Sequence, residues 1–309
     1  MLSGVCLVLI GIFILQGLNE RNLSYNLPRR SHIVFALVLI SFSVSWSATV
    51  FQTISENQIL TPSLIGLDAL YLFIQTAVVY FLGSQRLTAM NNPRDFLFTV
   101  LAMVAAAGVL YAVMFRGRRG SIHLLILVGL VAGQLFRALA SFMQLRIDPD
   151  EFSVVQGRMF ASFNNLNLDL SGISIVCVAL AFALTFRDTP CLDVLALGRD
   201  QAVGLGVPYR AVVRRQLFMI AVLISVATVL GGPVTFLSLL AVNAARRLLH
   251  THRHFWLGLG STLVSLACLL TAQLLVERVF NFNMPCNVII NLAGGLYLLY
   301  LLIRQGRNG

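Results

Sequence analysis

Lysine is missing from this chain: all 22 of its basic residues are arginine. That excludes the glycine-rich phosphate loop whose lysine reaches a nucleotide's terminal phosphates, so the chain does not hydrolyse nucleotide by that route. Charge of either sign is scarce, at 11% of residues against 58% hydrophobic, which excludes a soluble globular domain of average make-up. Cysteine is sparse as well. Cys6, Cys177, Cys191, Cys268 and Cys286 fall singly, without the paired spacing of a metal or redox centre, and read as packing residues. No serine–histidine–acid or cysteine–histidine set shares a face, which argues against an enzyme. The net charge of +10 invites a nucleic-acid reading, but the arginines sit in short links and interleave with no aromatic platform.

What remains is an all-α integral membrane protein. At about 20 residues per span, its 309 residues hold one bundle of about ten transmembrane helices, with no separate soluble domain. The apolar runs place spans at Met1–Gln16, Ser31–Gln52, Asp68–Gly83, Phe96–Phe115, Ile122–Gln144, Leu170–Phe186, Gln216–Leu230, Val234–Ala245, Phe255–Val276 and Cys286–Ile303. Asn19–Arg30 and Leu145–Asp169 read as polar links. The amino-terminal run lacks a basic leader and a small-residue cleavage site, so it reads as the first span rather than a removable signal. With both termini cytosolic, inner links hold thirteen arginines against eight in outer links, the orientation favoured by the positive-inside rule.

The stretch Thr189–Arg215 is polar and lies between spans six and seven. Thr189 before Pro190 opens a short helix, Gly198 closes it, and Gly204 or Gly206 before Pro208 closes a second. Leu192, Leu195, Leu197, Ala202, Val203 and Leu205 give the pair a greasy side, while Asp193, Arg199, Asp200 and Arg210 stay available to water or a partner. Such an element is either a surface presented to another protein or a loop helix resting on the bilayer.

Other residues carry two readings each. Asp68 heads an uncharged run, so it is either an intramembrane functional acid or a helix cap. Arg137 lies inside the fifth span and either snorkels to the interface or borders a path for an anion. His250, His252 and His254 in HTHRH offer metal ligands but sit between arginines, as a basic surface would. Pro62 and Gly66 break the backbone of Ser55–Asp68, which membrane depth tolerates only beside protein or a water-filled cavity.

Several motifs carry a resemblance that covers nearly the whole chain. LGRDQAVGLGV (Leu197–Val207) resembles the coupling-helix motif of the ten-span permeases of bacterial type II ABC importers, which take up vitamin B12, haem and ferric siderophores. The resemblance implies that Leu197, Gly198, Arg199, Asp200, Leu205, Gly206 and Val207 dock into an ATPase subunit. Arg199 replaces the first of the family's two acids and Asp200 keeps the second. LPRR (Leu27–Arg30) and ERVFNFNMP (Glu277–Pro285) are similar to segments that meet a periplasmic binding protein, which implies docking by Arg29 and Arg278. ENQILTPSLIG (Glu56–Gly66) looks like the loop of the cytosolic gate, implying that role for Asn57 and Ile59. GGPVTFLSLLAVNAARR (Gly231–Arg247) resembles the family's glycine–proline segment, with Val242 and Asn243 in place of its proline–histidine pair.

LIGLDALYLFIQT (Leu64–Thr76) and IDPDEFSVVQGRMFASFNN (Ile147–Asn165) look most like permeases for ferric siderophores, catecholates above all. The resemblance implies a bacterial inner-membrane subunit working with a related second permease chain, ATP-binding subunits and a periplasmic substrate-binding protein. ATP and magnesium would sit on the partner ATPase, and iron only within the transported chelate. Asp68 and Arg137 are the candidates for the translocation path. The alternatives are permeation of vitamin B12 or haem, ion-coupled secondary transport, for which Asp68 is a lone candidate relay, and a membrane scaffold.

Overall fold

The computed structural model describes residues 2–15, 23–85, 93–115, 122–160, 168–281 and 284–306. Thirteen α-helices and no strand occur among them. Five are long and apolar enough to cross a membrane: α2 (Leu23–Ile54), α4 (Pro93–Phe115), α5 (Ile122–Gln144), α10 (Tyr209–Gly231) and α12 (His254–Arg278). Taken together, α7 (Leu168–Arg187) and α8 (Thr189–Leu195), which meet at a bend of 57°, are long and apolar enough for a sixth crossing. Three shorter apolar helices, α1 (Leu2–Leu15), α3 (Leu67–Leu82) and α13 (Cys286–Gly306), join them. Two helices lie between the main spans: α6 (Pro149–Met159) and the six-residue α9 (Arg199–Gly204). The remaining helix, α11 (Leu237–Leu249), has 13 residues and a length of about 20 Å, too short for a hydrocarbon core of about 30 Å.

Three links differ from their sequence reading. The described part of the first link is helix, because α2 starts at Leu23 and carries Pro28 in its second turn. At 32 residues α2 is about 48 Å long and outreaches the bilayer core, so its polar first turns stay in water. The 145–169 link contains α6, whose proline at the start and acids Asp150 and Glu151 in the first turn are ordinary helix-opening signals. The 189–215 element ends earlier than its composition suggests, since Tyr209–Arg215 forms the first two turns of α10.

The bundle is built around α2, 78% of whose most apolar stretch is buried, against 22% for α5. Ser41, Ser43, Ser45 and Ser47 are all buried, and their small side chains let α10 and α12 approach α2 closely. Thr49 Oγ1 meets Ser261 Oγ at 3.2 Å, and the Trp46 ring fills the space beside Gly258. Helix α12 runs back along α2, so each end of this pair carries the start of one helix and the finish of the other.

After α2 the chain turns through residues 55–61 into a 3-10 turn, Pro62–Ile65, and Gly66 at φ 92° starts α3. The break itself is covered by protein at Thr61, Pro62, Ile65 and Gly66, as a break in a membrane requires, while Glu56, Asn57 and Gln58 are exposed. Gly66 lies against Gly133 of α5 so closely that a Cβ on Gly66 would stand 2.7 Å from the Gly133 Cα. Gly66→Ala adds a left-handed backbone to that clash, whereas an alanine at Gly260 meets only the flexible end of Leu249. Thermal unfolding in detergent should show Gly66→Ala losing about 2 kcal/mol or more, with Gly260→Ala losing clearly less.

Candidate functional site

The pair α8 and α9 stands at one end of α2 and α12 and is held by polar ties on both sides. Asp188, at the head of α8, does not cap its own helix; its buried carboxylate accepts hydrogen bonds from Arg215 Nε at 2.6 Å and from Gln216 Nε2 at 2.8 Å. The Arg215 Nη2 group donates to the other carboxylate oxygen. On the far side of α8, Asp193 Oδ1 accepts from the His254 backbone N–H at 2.8 Å and lies 2.7 Å from His254 Nδ1. His254 Nε2 in turn lies 2.6 Å from Thr53 Oγ1 at the end of α2. His254 is therefore no surface histidine: it is buried, while His250 and His252 face outward.

The apolar residues of the pair divide into two sets. Leu192, Leu195 and Ala202 are buried in the bundle. Leu197, Val203 and Leu205 point away from it and are 56%, 54% and 66% exposed. Gly198 at φ 101° and Gly206 at φ 86° supply the left-handed turns on either side of α9. Val207 is half-buried, Asp200 is exposed, and the Arg199 guanidinium lies over the Tyr209 ring, 5.4 Å from its centroid. One face thus anchors the pair and the other presents three aliphatic side chains next to Arg199 and Asp200.

The turn after α2 lies beside this face. Asn57 Oδ1 accepts the Ile59 N–H at 2.9 Å, so the two candidate gate residues shape one turn. Asn243 Nδ2 of α11 donates to the Gln58 carbonyl at 3.2 Å, and Glu56 Oε1 accepts the Arg199 N–H at 3.0 Å. A cleft of about 440 Å³ separates the turn from α9, lined by Ser55, Glu56, Ile122, Leu197, Arg199 and Asp200 among others.

At the opposite end of the pair, Arg30 of α2 forms a salt bridge with Glu277 of α12 and donates to the Phe13 carbonyl of α1. Arg29 and Arg278, the neighbours of these two residues, are exposed and share that end. Between the ends, Asp68 is buried in the first turn of α3 and its Oδ2 accepts from Thr235 Oγ1 at 3.1 Å, a bond to another segment rather than a cap. Arg137 is exposed on α5, folds back toward Gly133 and acts electrostatically on Asp68. The structure brings together Asn57 with Ile59 and puts Arg29 and Arg278 at one end of the α2–α12 pair. Sequence reasoning missed Asp188, Arg215, Glu56 and the His254 bridge. Asp188 and Arg215 were detectable only as opposite charges flanking the element.

The same arrangement of helices occurs in a solved metal-chelate type ABC transporter in an inward-facing conformation, with a TM-score of 0.80 over 98% of this chain and 97% of that one at 19% identity. The fold is that of a membrane transport permease. The model of the FecCD transport family matches residues 8–304, and the chain belongs to that family. It is 45% identical to the petrobactin import system permease protein YclO of Bacillus subtilis strain 168, over 100% of this chain and 97% of that protein. It is 32% identical to the petrobactin import system permease protein FatC of Bacillus anthracis, over 90% of this chain and 78% of that protein. Membership makes it a transport subunit rather than an enzyme, and implies a permease partner, ATPase subunits and a substrate-binding protein.

Removing the Arg215 side chain leaves the buried Asp188 carboxylate with Gln216 alone. Arg215→Ala should cost about 2 kcal/mol in detergent unfolding, and Arg214→Ala, at an exposed position, close to nothing.

Proposed function

We propose that the chain is the permease subunit that carries a ferric siderophore across the bacterial inner membrane toward the cytosol, with both termini cytosolic. The observation that carries this reading is the pairing of similarity to two petrobactin permeases, over the whole chain for one and 90% of it for the other, with a bundle whose two polar ends differ in chemistry. One end presents Leu197, Val203 and Leu205 on a braced pair of short helices, a surface suited to an apolar groove on an ATPase subunit. The other presents Arg29 and Arg278, suited to carboxylates on a periplasmic binding protein.

In this mechanism the ATPase subunits hold ATP and magnesium, and this chain binds no cofactor of its own. Closure of the ATPase pair shifts the rigid element Leu197–Val207, and the bundle passes between two states. Asn57 and Ile59 border the cytosolic gate. Arg137 is exposed on α5, where a guanidinium bordering the path to a second, related permease chain would attract an anionic chelate. A tris-catecholate complex of iron is strongly anionic, and petrobactin is of the catecholate type.

A strain lacking the chain, supplied with it and its partner subunits, should regain uptake of radiolabelled iron as a catecholate chelate. Uptake should stop on ATP depletion and survive collapse of the proton gradient. Uptake that ignores ATP and fails with the gradient would overturn the reading. In the purified complex, Arg29→Glu and Arg278→Glu should each slow capture of the binding protein about tenfold at low ionic strength, a difference that shrinks in high salt. Asp200→Ala combined with Leu205→Ala should leave ATP hydrolysis running while uptake falls to background.

A further inference from the structure

The seven residues from Gln52 to Gln58 receive polar contacts from four residues on three separate helices. Arg246 Nη2 of α11 lies 3.4 Å from Gln52 Oε1, and His254 of α12 meets Thr53 at 2.6 Å. Asn243 of α11 donates to the Gln58 carbonyl. From α9, the Arg199 N–H donates to Glu56 Oε1 at 3.0 Å, across 143 positions of sequence.

Glu56 differs from the others in its backbone. Its φ is 52°, a left-handed conformation that a side chain bearing Cβ seldom adopts without a compensating contact. Here the compensating contacts are those that close α2: the Glu56 N–H donates to the Thr53 carbonyl and the Asn57 N–H to the Gln52 carbonyl, both at 3.2 Å, and from this position the Glu56 side chain accepts the Arg199 N–H beside the 440 Å³ cleft. Asp193 and Asp188 hold α8 to the bundle, so Glu56 is the side chain through which α9 reaches the gate-side turn. The next residue, Asn57, shapes that turn with Ile59.

We infer that Glu56 is a positioning residue, a latch by which movement of α9 is delivered to the turn at 57–59. Its carboxylate follows the Arg199 N–H, and because it sits on the left-handed residue that closes α2 and leads into Asn57, displacement of α9 alters the conformation of the turn. This deepens the importer reading and rests on it. Glu56→Gln keeps the acceptor oxygen and the latch. Glu56→Gly removes the acceptor and at the same time relaxes the left-handed backbone, so loss of coupling in it is not a folding defect.

The test uses the whole complex in proteoliposomes, with binding protein and ATPase subunits, and measures ferric chelate moved per ATP hydrolysed. The ratio should fall about tenfold in Glu56→Gly and stay within about twofold of wild type in Glu56→Gln. In parallel, spin labels at Gln58 and Val203, in a background with the five native cysteines replaced, should give one narrow distance distribution in wild type and Glu56→Gln and a broad one in Glu56→Gly. An unchanged transport ratio in Glu56→Gly overturns the latch, and so does a distribution as narrow as that of wild type. Wild-type complex that moves no chelate counts against the importer reading instead, and the distance distributions then decide the latch alone.

Discussion

The imidazole of His254 joins three parts of the molecule: Asp193 on the short helix α8, Thr53 at the end of α2, and the first turn of α12 to which it belongs. Both ring nitrogens and the backbone N–H are engaged. Seven residues do not form a stable helix unaided, and α8 depends on these bonds together with its buried Leu192 and Leu195. Without such ties α8 and α9 would ride loosely over the end of the bundle. With them, a push on α9 is delivered to α2 and α12 as a displacement rather than absorbed by a flexible loop.

That displacement is useful only if α2 and α12 move as one body, and their packing supplies this. Small hydroxyl side chains replace bulky ones along α2, Gly258 admits the Trp46 ring, and Thr49 and Ser261 meet between the helices. In lipid there is no hydrophobic force between helices, so close backbone approach and hydrogen bonds carry the association. The far end of the pair is closed by Arg30 and Glu277, both largely shielded from water. The pair is therefore a strut with α8 and α9 at one end and the Arg30–Glu277 bridge at the other. The thinly covered α5, with Arg137 on its exposed side, leaves room for a second subunit.

Much of this architecture was legible in the chain itself. Periodicity and length gave the long helices, Gly232–Pro233 marked the break after α10, and Pro190, Gly198 and Gly206 outlined the two short helices. The start of α2 was hidden by Pro28, which reads as a link although an exposed helix end tolerates it. The bracing was hidden for a different reason. Asp193 and His254 are 61 positions apart, and Glu56 and Arg199 are 143 apart, so no local pattern announces either contact. His254 was further disguised by its neighbours, since HTHRH alternates as a solvated basic surface does and only its third histidine turns inward. The greasy side of the short helices was visible, but its division into an anchoring half and a presenting half depends on how the pair sits on the bundle.

The account stands on the two ends of the α2–α12 strut lying on opposite sides of the membrane, with α9 in the cytosol. Single cysteines at Leu205 and at Arg278, in a cysteine-free background, can be exposed to a membrane-impermeant thiol reagent in intact spheroplasts and again after lysis. The account predicts labelling at 278 in both conditions and at 205 only after lysis. Labelling of both positions in intact spheroplasts, or of 205 alone, would contradict it.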